Sequence, residues 1–454
     1  MTISNLFFVV FLITILLISS SESTKYLNYA NAQKSVNKKE GPTISDPNLK
    51  VDLVANGLEL PTGMAFLGPN DILVIEKEKG TVQRIINGKM LPEPLLDVNV
   101  GKVSERGLLG IAVSKHENGP TYVFLFYSET LIKDGGNPVG NRLYRYELMN
   151  NNTLVNPKLL LDLPTTPGPS HNGGVVKIGP DNNVYVVVGD LNYIRNKRAY
   201  TLAQNAVDGP PPDGRGGILR VTQNGEVVGG NGVGLLGNED PLNKYYAYGI
   251  RNSFGIGFDP VTGKLWETEN GPNLGDEINL VEPGFNGGWK QLMGMAADHK
   301  GFDPNNDLVD FGGKGKYSDP EFVWIDTVAP TAITFFNSDK LGMQYENDIF
   351  VGSVKGGRIF NFDLNDDRTE LVLDNPLDDK VADTNDELEG ITFANNLGTI
   401  TDIEVGPADG YLYVVSFGNG AIYRIAPGGD SNGTNGVSIP EESIPEEKDE
   451  EEED

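Results

Sequence analysis

The chain has 454 residues, a formal net charge of −28, no cysteine and three histidines. Absence of Cys removes disulfides, thiolate metal sites and cysteine nucleophiles, and His116, His171 and His299 are too few for multi-histidine zinc sites. An acidic balance of this size argues against nucleic acid or an anionic membrane surface as partner; 56 Gly and 28 Pro beside 38% hydrophobic residues suit a turn-rich all-β chain with scarce helix.

In chain order, the first feature is an apolar run of thirteen, LFFVVFLITILLI over 6–18, bounded by Ser19-Ser-Ser-Glu-Ser. Ala30-Asn-Ala32 has the small-x-small form of a signal-peptidase site, so residues 1–32 are expected to be a signal peptide. Met1 to Asn5 contains no Lys or Arg, which leaves an uncleaved N-terminal membrane anchor as the alternative. Either reading places the protein outside the cytoplasm, secreted or anchored at the cell surface. Residues 33–48 read as a polar linker.

From there the chain repeats one unit: a small or polar start, a strand, a Gly/Pro/Asp/Asn turn, then further strands and turns. The units span 57–86, 106–149, 171–225, 251–289, 331–364 and 398–427. Turns such as Gly179-Pro-Asp-Asn-Asn183 and Gly406-Pro-Ala-Asp-Gly410 join runs rich in Val, Ile and Tyr, the chemistry of hairpins. Residues 49–427 are therefore expected to form an all-β, six-bladed β-propeller of four-stranded antiparallel blades. Residues 428–454 form an acidic tail with ten acids and one base from Glu441 onward, too charged to bury and expected to be disordered.

Polar chemistry is densest in Tyr248-Gly-Ile-Arg-Asn-Ser-Phe-Gly255, Glu269-Asn-Gly-Pro-Asn-Leu-Gly-Asp-Glu-Ile-Asn279 and Asn286-Gly-Gly-Trp289. A guanidinium, carboxylates, amides and a Gly-Pro corner between short strands point to an anionic ligand and a metal. With so few histidines, that metal is expected to be a hard cation held by carboxylates and backbone carbonyls. His171 lies in Pro169-Ser-His-Asn-Gly-Gly174 at the start of a strand, and Asp190 closes the next strand. If the two strands pair, both side chains reach the same rim. The pair then serves either as an oriented imidazole able to take a proton from an alcohol or as a structural cap.

These motifs, with Arg106-Gly-Leu-Leu-Gly-Ile-Ala112, resemble the soluble glucose/sorbosone dehydrogenase family from about Val51 to Pro427. The resemblance implies a quinoprotein that uses pyrroloquinoline quinone (PQQ) and calcium to oxidise aldose sugars. By that resemblance His171 matches the general base and Asp190 its acidic partner. Arg251 and Asn252 match residues that hold PQQ and polarise its carbonyl. Gly271 and Pro272 match the pair whose carbonyls bind calcium, Asp276 an acidic neighbour of that site, and Lys355 a cofactor-binding lysine. Glu105 falls at a cofactor-facing position where the best-known pattern has Gln. Each also has a structural reading: Arg251 pairing with Glu269 or Asp276, Gly271-Pro272 as a turn, Lys355 as an exposed hairpin residue.

The chain departs from the pattern in four places. Thr399-Ile-Thr-Asp402 stands where the family has Arg-x-Arg-Asp, so two guanidinium partners for the carboxylates of PQQ are missing. Glu105 adds negative charge, Ser170 replaces a sugar-binding Asp, and Gly287 replaces a Tyr. Arg358 and Lys380 are the cations left to substitute. Three functions are consistent with these residues. The first is an exported quinoprotein that oxidises the C1 hydroxyl of aldoses to lactones and delivers electrons to an external acceptor. The others are a non-catalytic propeller that has lost PQQ and acts as a binding module, and a calcium-dependent lactonase-type hydrolase.

Overall fold

The second strand of each repeat is an almost unbroken apolar run, as in Asp71–Glu76 (DILVIE), Thr121–Glu129 (TYVFLFYSE) and Val184–Val188 (VYVVV). Such runs belong to strands covered on both faces. In the computed structural model, which describes residues 41–117, 119–191, 200–229 and 231–428, that is where they lie. Phe124 and Phe126 pack with Val176, Val186 and Leu219 of the next repeat, while Val123, Leu125 and Tyr127 pack with Leu73, Ile75 and Val82 of the previous one. The core is thus six apolar layers, each between two neighbouring sheets.

The described strands form six sheets. Their innermost strands are Pro61–Gly68, Leu108–Lys115, Val176–Ile178, Ser253–Phe258, Pro330–Phe335 and Ile400–Val405. Each touches the next and the last touches the first, which closes a propeller. The ring is fastened by the chain's two ends: Leu49–Ala55 pairs antiparallel with Ala421–Pro427 in the sixth sheet, with Val51 opposite Ile425.

The expectation of four antiparallel strands per blade is met in the second and sixth sheets only; the first and fourth have five strands, the third and fifth six. The additions are two-residue strands, three of whose pairings are parallel. They come from segments that double back along a sheet edge. Thus Phe285–Asn286 leaves the fourth repeat and pairs beside Tyr248 of the third sheet, so Asn286-Gly-Gly-Trp289 belongs to the third sheet rather than to the 251–289 unit. Thr43–Ile44, within the expected linker, pairs with Ala394 and Asn395 of the fifth sheet. The only α-helices among the described residues are the single turns Pro304–Asp307 and Asn385–Gly390. The expected signal segment, the first half of the linker and the acidic tail after Gly428 lie outside the described residues.

Candidate functional site

Every innermost strand starts at the same end of the ring, and every second strand returns there, so one rim collects the loop residues 97–108, 163–176, 188–191, 200–217, 248–253, 269–274, 326–330 and 353–359. His171 and Asp190 meet on it. His171 Nδ1 is 2.6 Å from Asp190 Oδ1, and both side chains are buried. Val176 pairs with Val186, which brings the two strand ends together, and Gly189 lets three backbones converge. A Cβ at Gly189 would lie 2.5 Å from the His171 carbonyl oxygen and 2.6 Å from that of Arg251. The Asp190 N–H donates to the same Arg251 carbonyl at 2.8 Å.

Asp190 spends its second oxygen on Trp289, whose indole Nε1–H donates to Oδ2 at 2.8 Å. The Arg251 guanidinium lies over the Trp289 ring, 5.5 Å from its centroid. Trp289 therefore ties the His–Asp pair to the arginine. Asn286 sets its approach by exchanging amide hydrogen bonds with Asn205, whose Nδ2 also donates to the Trp289 carbonyl.

Arg251 Nη1 donates to the carbonyls of Asn270 and Gly271, at 2.6 and 3.1 Å, and its backbone N–H donates to Glu269 Oε1. Asn252 presents a buried Oδ1 with no partner among the described residues. Gly271 sits where a Cβ would meet the Leu274 carbonyl at 2.2 Å, and Pro272 is exposed beside it. Asp276 is fully engaged: Oδ1 accepts from Gly271 N, and Oδ2 from Val328 N and Ala329 N, all within 2.8 Å. Burial pushes its carboxyl up against the pull of those N–H groups. Asp276 thus shapes the 269–274 and 326–330 loops. Lys355 reaches the second of these, Nζ donating to the Thr327 carbonyl at 2.6 Å from an exposed position.

Beneath Arg251, Glu267, Glu269, Glu277 and Asn279 are buried on two paired strands. Burial raises Glu267 to about 7 and Glu277 to about 8, and burial with its two acidic neighbours lifts Glu269 well above the carboxylate range. No group of three or more acidic or histidine side chains among the described residues is arranged to hold a metal.

Glu105 reaches the site from the loop ahead of the second sheet and turns to the backbone of His171: Oε2 accepts from His171 N at 2.5 Å and Asn172 N at 3.3 Å. Ser170 bonds to Ser104 at 2.8 Å. Thr401 donates to the Pro61 carbonyl at 3.0 Å, and the Thr399 carbonyl accepts from Phe417 N. Of the two cations expected to substitute for arginines, Arg358 lies in the rim loop 353–359 and pairs with Glu389, and Lys380 pairs with Glu321, each at 2.8 Å. His116 bonds to Gln223 and His299 to the Met293 carbonyl, away from Asp190.

Two residues without a predicted role belong to this rim. Trp289 was visible only as the end of a Gly-Gly motif. Lys77, buried, follows the second strand of the first sheet as Asp190 follows that of the third, and donates to the Ser104 carbonyl at 2.9 Å. That positional equivalence between repeats was the available signal for it.

Residues 58–424 match the glucose/sorbosone dehydrogenase family. The chain is 25% identical over 386 residues to aldose sugar dehydrogenase YliI of Escherichia coli, covering 84% of this chain and 93% of that one. It is 28% identical over 351 residues to quinoprotein glucose dehydrogenase B of Acinetobacter calcoaceticus, covering 64% and 70%. Among solved structures, a Thermus thermophilus protein described as a putative oxidoreductase (glucose dehydrogenase) superposes with a TM-score of 0.64 at 27% identity, covering 83% of this chain and 99% of its own.

Proposed function

The chain belongs to the glucose/sorbosone dehydrogenase family, and from that premise we propose that it oxidises the C1 hydroxyl of an aldose to the lactone, with PQQ and calcium, outside the cytoplasm. We count each of the six sheets as one blade. The observation that carries the reading is the 2.6 Å contact between His171 Nδ1 and Asp190 Oδ1. A carboxylate at Nδ1 holds the proton there and leaves Nε2 as the basic nitrogen. It also stabilises the imidazolium that forms when Nε2 takes a hydroxyl proton. Trp289 orients Asp190 by donating to its other oxygen.

The polar groups at the rim suit the quinone. Asn252 offers a side-chain amide whose buried oxygen has no partner among the described residues, Arg251 a guanidinium of which the described residues use Nη1, and Lys355 an ammonium, bonded to Thr327, at the mouth. These three would hold the cofactor, and the Gly271 and Pro272 carbonyls would supply hard oxygen ligands to calcium. When bound, PQQ supplies a two-electron acceptor for the C1 hydride. Arg251 would place fixed positive charge where negative charge develops, a contribution of about 3 kcal/mol for one well-placed donor. The apolar N-terminal run supports export, and an external acceptor would take the electrons onward.

A second reading, a propeller without cofactor, has one observation in its favour. Thr399 and Thr401 replace two arginines while Arg358 and Lys380 are engaged with carboxylates. Titration of metal-stripped protein with PQQ, with and without calcium, followed by a panel of aldoses, separates the two. Calcium-dependent binding and sugar-dependent bleaching of the quinone are expected. No binding well above micromolar cofactor would overturn the dehydrogenase reading. His171→Ala should keep cofactor binding and lose turnover by about 100-fold or more; turnover at the parent rate would remove His171 from the role of base.

A further inference from the structure

His171 carries a φ of 60°, a left-handed conformation that costs a β-carbon-bearing residue about 1 kcal/mol or more and persists only where its surroundings impose it. The imidazole of the base is aimed by this backbone, so what holds the turn also aims the base. Two successive N–H groups, those of His171 and Asn172, converge on one oxygen, Oε2 of Glu105. Converging N–H groups of this kind form a concave anion-binding nest. Here a side chain of the protein fills it.

We propose that Glu105 is a positioning residue for the base: its carboxylate occupies the nest formed by the His171 and Asn172 N–H groups and locks the left-handed turn that presents the imidazole. The inference rests on the reading of His171 as the base. Three contacts keep Glu105 from backing away. Lys77 Nζ donates to the Ser104 carbonyl at 2.9 Å, Ser104 and Ser170 join their hydroxyls at 2.8 Å, and Arg106 Nη2 donates to the Thr165 carbonyl at 2.6 Å. Ser104, with a φ of 58°, is itself turned to bring Glu105 under the base. Burial raises the Glu105 carboxyl, while His171, the two N–H groups and Arg251 pull it down. A glutamine at this position would keep an acceptor oxygen and lose the charge assistance; an alanine would lose both.

The test uses full-length, cofactor-free protein labelled with 15N only at histidine, which gives three backbone amide signals from His116, His171 and His299. Loss of one signal in His171→Gln assigns that residue. A short bond to a carboxylate shifts an amide proton downfield, so the His171 signal should move upfield in Glu105→Gln and further in Glu105→Ala, while the other two stay in place as controls for folding. On the loaded enzyme, Glu105→Gln should lower kcat by about 3-fold and Glu105→Ala by about 30-fold, with the aldose KM little changed. A His171 amide unmoved in both variants overturns the proposal, as does a loss in Glu105→Ala that falls wholly on KM. Should the protein prove inactive on aldoses, the kinetic arm falls with the parent reading. The amide signals need neither cofactor nor substrate and still decide whether Glu105 holds the turn.

Discussion

Asp190 is wholly buried, and its carboxylate accepts from His171 Nδ1 and from Trp289 Nε1. Removing the indole donor takes one hydrogen bond from a buried carboxylate, a cost of about 1–3 kcal/mol. On the proposed reading of His171 as the base, that cost bears on the side chain that orients it, so it should surface in the chemical step more than in sugar affinity. Trp289→Phe keeps an aromatic ring beneath Arg251 and deletes only the donor. It is expected to lower kcat about 10-fold with a smaller effect on KM and an unchanged circular dichroism spectrum. Steady-state kinetics on one oxidised aldose would check this, and an equal loss in the two parameters would argue that Trp289 binds sugar instead. Asp276 makes the opposite point about single residues. An acid beside a Gly-Pro corner reads as a metal neighbour, yet three backbone N–H groups occupy its oxygens. Counting the loop amides that need an acceptor was not open to the sequence.

At the scale of strands and turns the repeats were readable because each hairpin carries its own chemistry. In the third sheet Tyr185 donates to Asp181, and in the sixth Tyr413 donates to Asp409, at 3.0 and 2.9 Å. In both, a Cβ on the turn glycine, Gly179 or Gly406, would come 2.6 Å from the tyrosine ring. Pattern and spacing of this sort revealed the repeats and, with them, the rim on which His171, Asp190, Arg251 and Gly271 gather. What stayed hidden was where long connections go. The residues between Val281 and Phe322 carry no periodic signal, so nothing in them announced that Phe285–Asn286 would return to the third sheet and deliver Trp289 to Asp190. Gly189 tests the convergence of elements directly. A methyl group there meets two carbonyl oxygens of the backbone, neither of which can swing aside as a side chain would. Gly189→Ala should therefore lower the thermal midpoint, at a cost of about 2 kcal/mol or more, and weaken turnover with it. A midpoint equal to the parent's would mean that the strand ends are less tightly joined than the 2.5 and 2.6 Å approaches require.

Across the whole ring, the third and sixth sheets face each other, and Lys177 of one forms an ion pair with Glu404 of the other. Two cavities of about 280 Å3 flank this strut. One is walled by Phe258 and Phe335, the other by Met64 and Phe66. Asp402, two residues from Glu404, accepts from Met64 N at 2.7 Å across the seam between the last sheet and the first. Burial, reinforced by Glu404 and opposed by Lys177 and the Met64 N–H, raises its carboxyl to about 7. An unfolded-chain aspartate titrates near 3.9, so between roughly pH 4 and 7 the folded protein holds a proton here that the unfolded chain releases. Folding stability from this group is therefore greatest at the acid end of that window and is lost as pH rises through about 7. Asp402→Asn keeps an acceptor for Met64 N and removes the titration. Relative to the parent, the variant should gain thermal stability between pH 5 and pH 8, by roughly 1–3 °C for a ring of this size. Melting both proteins across that range reads the effect as a difference, which cancels the other acids. A difference that stays flat with pH would show that Lys177 neutralises Asp402 completely, and that the seam closes around an ionised pair.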